Sequence, residues 1–305
     1  MSAQPVVSII VVSYATKVIL RDCLASIART AEMPYEVIVV DNASPDGSAA
    51  MVEHEFPGVL LIKSAVNLGF SPANNLAMQR ARGNFMLLLN PDTVVMPGAV
   101  AGWIDRHRAS GASVSGPRLL NPDGSLQISA WKVPGVLNSL LELFYLHRIS
   151  GIGRYAVDRF QNDFNPDFVS GAAMLFDRSV HDRIGGLDPD MFWMEDVDLC
   201  VRASKAGGTI AYFHAPAIVH IGGQSSKKNM DRVISNQLIS RIKFARKHSN
   251  AISAAVLIGV IYLHVLTRIV AFGVLTIFRP DPRAKAYIFT LGKLNRYLLN
   301  GDRSI

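Results

Sequence analysis

Short apolar runs that alternate with helical patterns constrain this chain more than any other feature. Residues 6–12 and 37–40 are almost entirely β-branched, and residues 59–62 and 85–89 are similarly apolar. Runs of this length are typical of strands buried on both faces, which occur mainly in parallel sheets. Residues 17–30 carry apolar side chains at helical spacing, and residues 71–82 predict another helix. The alternation predicts an α/β fold with a mostly parallel central sheet flanked by helices.

Polar residues follow three of these predicted strands. Ser13 and Tyr14 end the first, Asp41 ends the second, and the Asn90-Pro91-Asp92 run ends the fourth. Open α/β sheets bind ligands at the carboxyl ends of their parallel strands. The sequence therefore predicts a ligand site at this edge.

A second acidic stretch lies about a hundred residues further on. Glu195, Asp196 and Asp198 fall within four positions, directly after Phe192 and Trp193. Such crowding is unfavourable unless a cation, a proton or a basic ligand compensates it. One acid placed for a metal and another placed for a proton are the minimum requirement for metal-assisted group transfer.

Asp41 also invites comparison with dinucleotide-binding folds, which place an acid after the second strand for a ribose. Those folds need a G-x-G-x-x-G turn after the first strand, and this chain has Ser-Tyr-Ala-Thr at residues 13–16. A Walker A lysine loop is absent from the sequence as well. A dehydrogenase is therefore excluded, and nucleotide phosphates would have to be neutralised by a metal.

The charge is unevenly distributed. Residues 1–226 carry 17 Lys and Arg against 21 Asp and Glu, whereas residues 227–305 carry 14 against 3. An acidic body with a basic, apolar tail points to an anionic membrane surface and away from nucleic acid. Cys23 and Cys200 fall in predicted helices, which is typical of buried thiols in a reducing compartment. Residues 6–12 are too short for a secretory signal, so we expect a cytoplasmic protein.

The tail is dominated by residues 251–278, an apolar stretch long enough to cross a bilayer. Basic residues flank it on both sides, whereas a spanning helix usually has them mainly on one side. Ser253, His264, Thr267 and Arg268 fall on one helical stripe. We therefore predict a peripheral or re-entrant helix on the inner face of the cell membrane, with residues 241–285 contacting the surface. A true span and a soluble packing or dimerisation helix are the alternatives, which leaves a homodimer open. The predicted domains are residues 1–226 and 227–305.

Seven short motifs together carry a resemblance to a known family. The chain resembles the inverting family 2 glycosyltransferases of the GT-A fold, and within them the rhamnosyltransferase-like members. The motifs occur in the family's order across residues 6–226: VSIIVVSY, DNASPDGS, NLGF, NPDT, SGA, MEDVDLC and HIGGQSS.

The resemblance implies that the nucleotide of a sugar donor lies across the ends of the first strands. Asp41 would bind a pyrimidine imide N–H or a ribose hydroxyl, although turn capping is the alternative role. The other residues implied at the nucleotide-sugar site are Ser13, Tyr14, Asn42, Asn67, Gly69 and Asn74.

The family's metal motif is D-x-D, and Asn90 replaces its first acid here. The resemblance assigns a divalent cation, Mg²⁺ or Mn²⁺, to Asp92. His220 aligns with a histidine that completes the metal shell in some relatives; otherwise it is a hydrogen-bonded histidine at a strand end. A single carboxylate leaves several coordination positions for diphosphate oxygens and water.

The acid cluster implies the catalytic base. We assign this role to Asp196, with Glu195 as its rival, while Asp198 caps or pairs near the start of the helix. Trp193 offers an apolar face to a sugar ring, with core packing as the alternative. Gly171 interrupts an apolar run at residues 168–176, where a ligand could approach the backbone closely.

The predicted function is metal-dependent, inverting transfer of a sugar to a glycan or lipid-linked acceptor in cell-envelope polysaccharide synthesis. The expected donor is dTDP-rhamnose, with a UDP- or GDP-sugar as the alternative. A catalytically silent membrane scaffold is the competing hypothesis from another class of function.

Overall fold

The computed structural model describes residues 4–30, 33–144, 146, 151, 153–222, 230–279 and 281–300. The chain divides into two compact units. The first comprises residues 1–132, 155–189 and 195–222, and the second comprises residues 133–154, 190–194 and 223–305. The predicted boundary at residue 226 lies outside the described residues and stays a prediction. Residues 133–154 and 190–194, which the sequence places in the first domain, group with the tail.

The strands confirm the predicted sheet. In chain order they are β1 (Val7–Ser13), β2 (Tyr35–Asp41), β3 (Leu60–Lys63), β4 (Phe85–Leu89), β5 (Thr93–Val95), β6 (Val114–Leu120), β7 (Leu126–Gln127), β8 (Ala130–Trp131), β9 (Phe168–Val169), β10 (Ala173–Asp177) and β11 (Ile210–His220). Within the described residues, nine of them form one sheet of order β3-β2-β1-β4-β10-β6-β11-β5, with β7 paired to β6. Strands β1 to β4 are parallel, as are β6 and β11, whereas β10, β5 and β7 run antiparallel to their neighbours.

The helices follow the strands as expected for an α/β chain. They are α1 (Lys17–Thr30), α2 (Ser48–Glu55), α3 (Phe70–Met78), α4 (Ala99–Ser110), α5 (Val136–Leu143), a short 3-10 helix (Val157–Gln161), α6 (Arg178–Ile184), α7 (Glu195–Lys205), α8 (Met230–His248), α9 (Ala251–Phe278) and α10 (Arg283–Asn300). Ile9 and Ile10 point to opposite faces of β1 and are 1% and 0% exposed, so both faces of the sheet are covered.

The apolar run at residues 168–176 is not one strand. Strand β9 pairs with β8 in a separate two-stranded sheet, and β10 joins the central sheet between β4 and β6. The chain leaves the first pairing at Ser170 and Gly171, where the Gly171 N–H donates to a side chain instead of to a strand. The interruption that the sequence predicts at Gly171 is present, but periodicity does not show that the two halves of the run join different sheets.

The second unit is helical. One face of α9 packs on α5, α8 and α10, and the cluster they form includes Leu238, Ile242, Leu257, Ile261 and Leu294. Arg268, expected on an exposed polar stripe of α9, is buried on the packed face and donates to the carbonyl oxygens of Glu142 and Leu143, each at 3.1 Å. These carbonyls lie at the C-terminal end of α5, so the arginine caps the helix.

Gly83 lies directly against the backbone of β1, so a substitution there tests how closely the chain packs at this point. A Cβ atom there would lie 2.5 Å from the backbone nitrogen of Ser8 and 2.6 Å from the carbonyl carbon of Val7, and backbone cannot move aside cheaply. Gly83→Ala should therefore destabilise the protein by about 1–3 kcal/mol, lowering Tm by several degrees. Gly102→Ala is the matched control, because it lies inside α4 with open space around it and should gain stability. Equal Tm values for the two variants in thermal unfolding would contradict this packing.

Candidate active site

The carboxyl ends of β1 and β2 lie side by side. Ser13 and Asp41 are register partners at the ends of these parallel strands. The Asp41 carboxylate is buried, and its Oδ2 accepts from the Ser44 N–H at 3.2 Å. Its Oδ1 has no hydrogen-bond partner within the described part of the chain. A buried acceptor without a partner costs about 1–3 kcal/mol, so this oxygen is suited to a donor group on a ligand.

The loops after these two strands are strained. Ala15 and Ala43 have φ of 53° and 64°, in the left-handed region that side chains rarely adopt. The loops are joined by the Ala15 N–H, which donates to Ser44 Oγ at 3.0 Å. Strain of this kind is retained where the surrounding structure imposes it, and it is common at ligand sites. Sequence reasoning missed both positions, because alanine carries no signal of backbone geometry.

Ser13 and Tyr14 differ in what they present to a ligand. The Ser13 hydroxyl is fully buried and lies 2.8 Å from Thr16 Oγ1, while its carbonyl accepts from the Asn42 N–H at 2.8 Å. Tyr14 is half exposed. Of the two predicted nucleotide contacts, Tyr14 has the accessible side chain, and Ser13 holds the loop.

Three predicted nucleotide-site residues, Asn42, Asn67 and Gly69, lie in one hydrogen-bond network beside this edge, and Asn74 follows in α3. Asn42 Oδ1 accepts from the Leu68 N–H at 2.8 Å, and Asn42 Nδ2 donates to Asn67 Oδ1 at 3.0 Å and to the Gly69 carbonyl at 3.3 Å. The buried Asn74 donates to the Phe70 carbonyl at 2.9 Å. The two amides thus shape the loop at residues 67–70, and direct contact with a ligand stays a prediction.

Asp92 and His220 come together at the next edge. His220 ends β11 opposite Thr93 of β5, and the Ile221 N–H donates to the Asp92 carbonyl at 2.9 Å. Asp92 is buried, and its Oδ1 lies 3.3 Å from His220 Nε2 without forming a hydrogen bond. Two ligands at right angles, each about 2.1 Å from one cation, are about 3 Å apart. Within the described residues Asp92 Oδ1 has no hydrogen-bond partner, and this oxygen and the neighbouring nitrogen therefore fit a shared divalent cation.

Within the described residues, no group of three or more His, Cys, Asp or Glu side chains is placed to hold a metal ion. A cation at Asp92 would keep positions open for diphosphate oxygens and water. Asn90, which replaces an acid here, is held by its backbone: its N–H donates to the Ala172 carbonyl at 2.9 Å, and its carbonyl accepts from Thr93 Oγ1 at 2.8 Å.

The second ring nitrogen of His220, Nδ1, has a hydrogen-bond partner. Its Nδ1 lies 2.6 Å from Oε1 of Gln127, a residue of β7. Sequence reasoning missed Gln127, because it belongs to no motif and comes near His220 only through the pairing of β7 with β6.

Asp196 is held by backbone donors. Its Oδ2 accepts from the Gly171 N–H at 3.0 Å, and its Oδ1 accepts from the Val197 N–H at 2.8 Å. Burial raises the pKa of this carboxyl, while the two N–H groups oppose the shift. A Cβ on Gly171 would lie 3.4 Å from the Asp196 Cβ, so the group that approaches this glycine closely is Asp196 itself.

The other two acids of the cluster differ from Asp196. Asp198 is fully buried, and Arg202 Nε donates to its Oδ2 at 2.7 Å. The same guanidinium donates to the carbonyls of Ile184 and Gly186, so Asp198 holds structure and is closed to substrate. Glu195 is the partly buried first residue of α7.

A short backbone path connects the two acids expected to carry the chemistry. The N–H of Asn90, two residues before Asp92, donates to the carbonyl of Ala172. The N–H of Gly171, which precedes Ala172, donates to the carboxylate of Asp196.

Trp193 belongs to the second unit, where it is 44% exposed, has φ of 77° and makes an edge contact with Phe192. Its contact with a sugar stays a prediction.

Comparison with known proteins gives these features a context. Residues 8–185 match the family described as glycosyl transferase family 2. The N-acetylglucosaminyl-diphospho-decaprenol L-rhamnosyltransferase of Mycobacterium tuberculosis is 28% identical over 80% of this chain and 85% of its own length. A rhamnosyltransferase of Escherichia coli is 26% identical over 79% of this chain and 93% of its own.

Solved structures share the fold. A mannosyltransferase from Pyrobaculum calidifontis, in complex with GDP-Man and Mn²⁺, superposes with a TM-score of 0.59 at 14% identity, covering 99% of this chain and 89% of its own. At this identity the likeness supports the GT-A architecture alone.

Proposed function

The chain belongs to glycosyl transferase family 2 and is a nucleotide-sugar-dependent glycosyltransferase, and from that premise we propose that it transfers rhamnose from dTDP-rhamnose to a lipid-linked or glycan acceptor. The observation that carries this choice of sugar is the match to two rhamnosyltransferases over most of their length. One of them is named for a decaprenol-linked diphosphate acceptor, which supports an acceptor of the same class here.

On the donor side, the nucleotide lies against the ends of β1 and β2. The Oδ1 of Asp41, which has no partner among the described residues, accepts from a base imide or a ribose hydroxyl, and Tyr14, directly after β1, has an accessible ring. The strained loops at Ala15 and Ala43 set this edge before the donor arrives, which lowers the ordering cost of binding.

Asp92 and His220 hold the divalent cation, Mg²⁺ or Mn²⁺. The cation supplies a Lewis acid that offsets charge on the leaving diphosphate. Asp92 brings one negative charge from a buried position, and the neighbouring imidazole nitrogen brings a neutral ligand.

Asp196 removes the proton of the acceptor hydroxyl. The bond from that oxygen to the anomeric carbon forms as the bond to the donor phosphate breaks on the opposite face, so the configuration inverts. The raised pKa of Asp196 makes it a stronger base than an ordinary aspartate, and the Gly171 N–H keeps its carboxylate in place. The proton ends on Asp196, and the electron pair leaves with the nucleoside diphosphate.

A panel of nucleotide sugars tests the donor. The full-length protein with membrane lipids as acceptor, followed by mass spectrometry of the glycolipids, should show a mass gain of one deoxyhexose with dTDP-rhamnose only. A gain with a UDP- or GDP-hexose would replace rhamnose in the proposal. Absence of turnover with every donor would support the scaffold hypothesis.

A lipid-linked acceptor requires that the protein bind a membrane, and α9 is the candidate for this contact. Among the described helices it is the one long and apolar enough to cross a membrane. Opposite its packed face runs a second apolar stripe, at a spacing of three, four or seven residues, that is exposed from end to end: Ile252, Val256, Leu263, Leu266, Val270, Val274 and Ile277. An exposed apolar stripe of this length marks a contact with protein or membrane.

Charge favours a membrane surface as the occupant. The segment from residue 227 onward carries 14 basic against 3 acidic residues. Some of these charges are used internally: Arg241 pairs with Glu142, and Arg283 pairs with Asp281. The net excess remains strongly positive, which suits anionic lipid on the cytoplasmic leaflet. We infer that α9 lies in the interface with its exposed stripe in lipid and its other face on the helical unit.

Val270→Glu should weaken membrane binding. Withdrawing one valine from lipid forfeits about 1.5 kcal/mol, roughly tenfold in partitioning, and the glutamate adds a desolvation cost. Val157→Glu is the matched control, because both valines are 66% exposed and Val157 lies in the first unit. Flotation of full-length protein with anionic liposomes measures the effect. Equal flotation of both variants would contradict the assignment of this stripe. Release by carbonate identifies an interfacial helix, whereas retention identifies a span.

A further inference from the structure

Gln127, in the short strand β7, forms hydrogen bonds on both sides of its amide group. Its Nε2 donates to the backbone carbonyl of His220 at 3.2 Å and to Asn121 Oδ1 at 2.9 Å. A backbone carbonyl can only accept, so the NH₂ group of the Gln127 amide must face it. The orientation of Asn121 is fixed in the same way, because its own NH₂ group faces the carbonyl of Leu126 at 3.5 Å.

This orientation determines the proton on His220. With its NH₂ group turned away, Gln127 presents Oε1 to His220 Nδ1 at 2.6 Å. An amide oxygen has no hydrogen to donate, so the hydrogen of this bond sits on Nδ1. In the neutral ring, Nε2 then carries a lone pair, and this nitrogen lies 3.3 Å from Asp92 Oδ1.

The opposite tautomer would close the site. A hydrogen on Nε2 would take up the lone pair that a cation needs, and His220 could no longer act as a ligand. The tautomer is therefore a condition for binding. Residues that orient a ligating histidine typically change metal affinity by about 10–100-fold when they are removed.

We propose that Gln127 is a positioning residue that keeps His220 in the Nδ1–H tautomer, so that Nε2 and Asp92 together accept a divalent cation. This inference rests on the proposed metal role of Asp92 and His220. Gln127 touches neither donor nor acceptor in it; it acts through His220.

Two substitutions at Gln127 and one at Asp123 separate orientation from packing. Gln127→Leu removes the acceptor and should weaken Mn²⁺ binding by about tenfold or more. Gln127→Glu keeps an acceptor at Nδ1 but loses the donor that faces the His220 carbonyl, so it should bind Mn²⁺ more tightly than Gln127→Leu does. Asp123→Ala changes the same turn without touching His220, since among the described residues Asp123 accepts from Ser125, and should bind Mn²⁺ as the wild type does. Loss of free-Mn²⁺ EPR signal on titration of the full-length protein measures these affinities.

The second readout needs no metal. Nitrogen-15 NMR of the histidine rings, at a pH where they are neutral, should show His220 protonated on Nδ1 in wild type and in Gln127→Glu. Gln127→Leu should shift it toward the Nε2–H tautomer. A wild-type tautomer in Gln127→Leu, or equal loss of affinity in Gln127→Leu and Gln127→Glu, overturns the proposal. Unchanged Mn²⁺ affinity in Asp92→Ala would instead overturn the metal site, while leaving the tautomer result standing.

Discussion

Asp196→Asn is expected to lower kcat by about 10²–10⁴-fold, with nucleotide affinity almost unchanged. Asparagine keeps the size of the side chain, and its amide oxygen can still accept from the Gly171 N–H that holds Asp196 at 3.0 Å. It cannot accept the proton of the acceptor hydroxyl. The proposed donor contact at Asp41 lies at the end of β2 and does not involve Asp196, so the affinity for dTDP measured by calorimetry should be unchanged.

Glu195, the alternative catalytic base, provides the comparison variant. Glu195→Gln removes the neighbouring carboxylate from the same helical turn and should cost much less than Asp196→Asn. A crippling Glu195→Gln together with a mild Asp196→Asn would reverse the assignment.

The pH profile gives a second check on Asp196. Burial raises its pKa, and only the deprotonated form can act as a base. Activity should therefore be retained above this raised pKa and lost as the pH falls through it, with the acidic limb of kcat/KM at a higher pH than an ordinary aspartate would give. The residual activity of Asp196→Asn should lack that limb.

Asp92→Ala is expected to lower transfer about 10³-fold or more, and EDTA should do the same to the wild type. The carboxylate is buried with an unpartnered oxygen beside His220, and it is the charged ligand in the proposed metal site. Without it, charge on the leaving diphosphate is no longer offset. Initial rates with and without added Mn²⁺ measure the loss.

The chain contains its own control for this change. Asn121-Pro122-Asp123 repeats the tripeptide of residues 90–92, but Asp123 is exposed and accepts from Ser125 at 2.6 Å. Asp123→Ala should leave transfer intact. Full wild-type activity in EDTA would exclude the metal role of Asp92.

Local sequence patterns were sufficient to predict much of the fold of this protein. The β-branched run of β1 and the apolar run of β4 each predicted a buried strand, because a strand covered on both faces needs apolar residues throughout. The polar residues after these strands predicted a ligand edge, since the carboxyl ends of parallel strands meet there. These inferences depend only on neighbours in sequence, and the fold confirms the sheet.

Contacts between distant segments could not be derived in this way. The hydrogen bonds from Gly171 to Asp196, from Asn90 to Ala172 and between Gln127 and His220 each join residues with no shared motif. The exposed face of α9 is a similar case: both faces of that helix are apolar, so composition could not tell which one packs. The buried position of Arg268 likewise depends on where α5 ends.

The sequence by itself determined the alternation of buried strands and helices in the first half and the positions of the acids along the chain. Only the tertiary structure showed what holds each acid in place. Asp198 is neutralised by Arg202, whereas Asp196 is held by N–H groups alone, and no periodicity distinguishes two aspartates two residues apart. The difference arises because an acid's role depends on the donors and charges that folding brings to it, and those come from elsewhere in the chain.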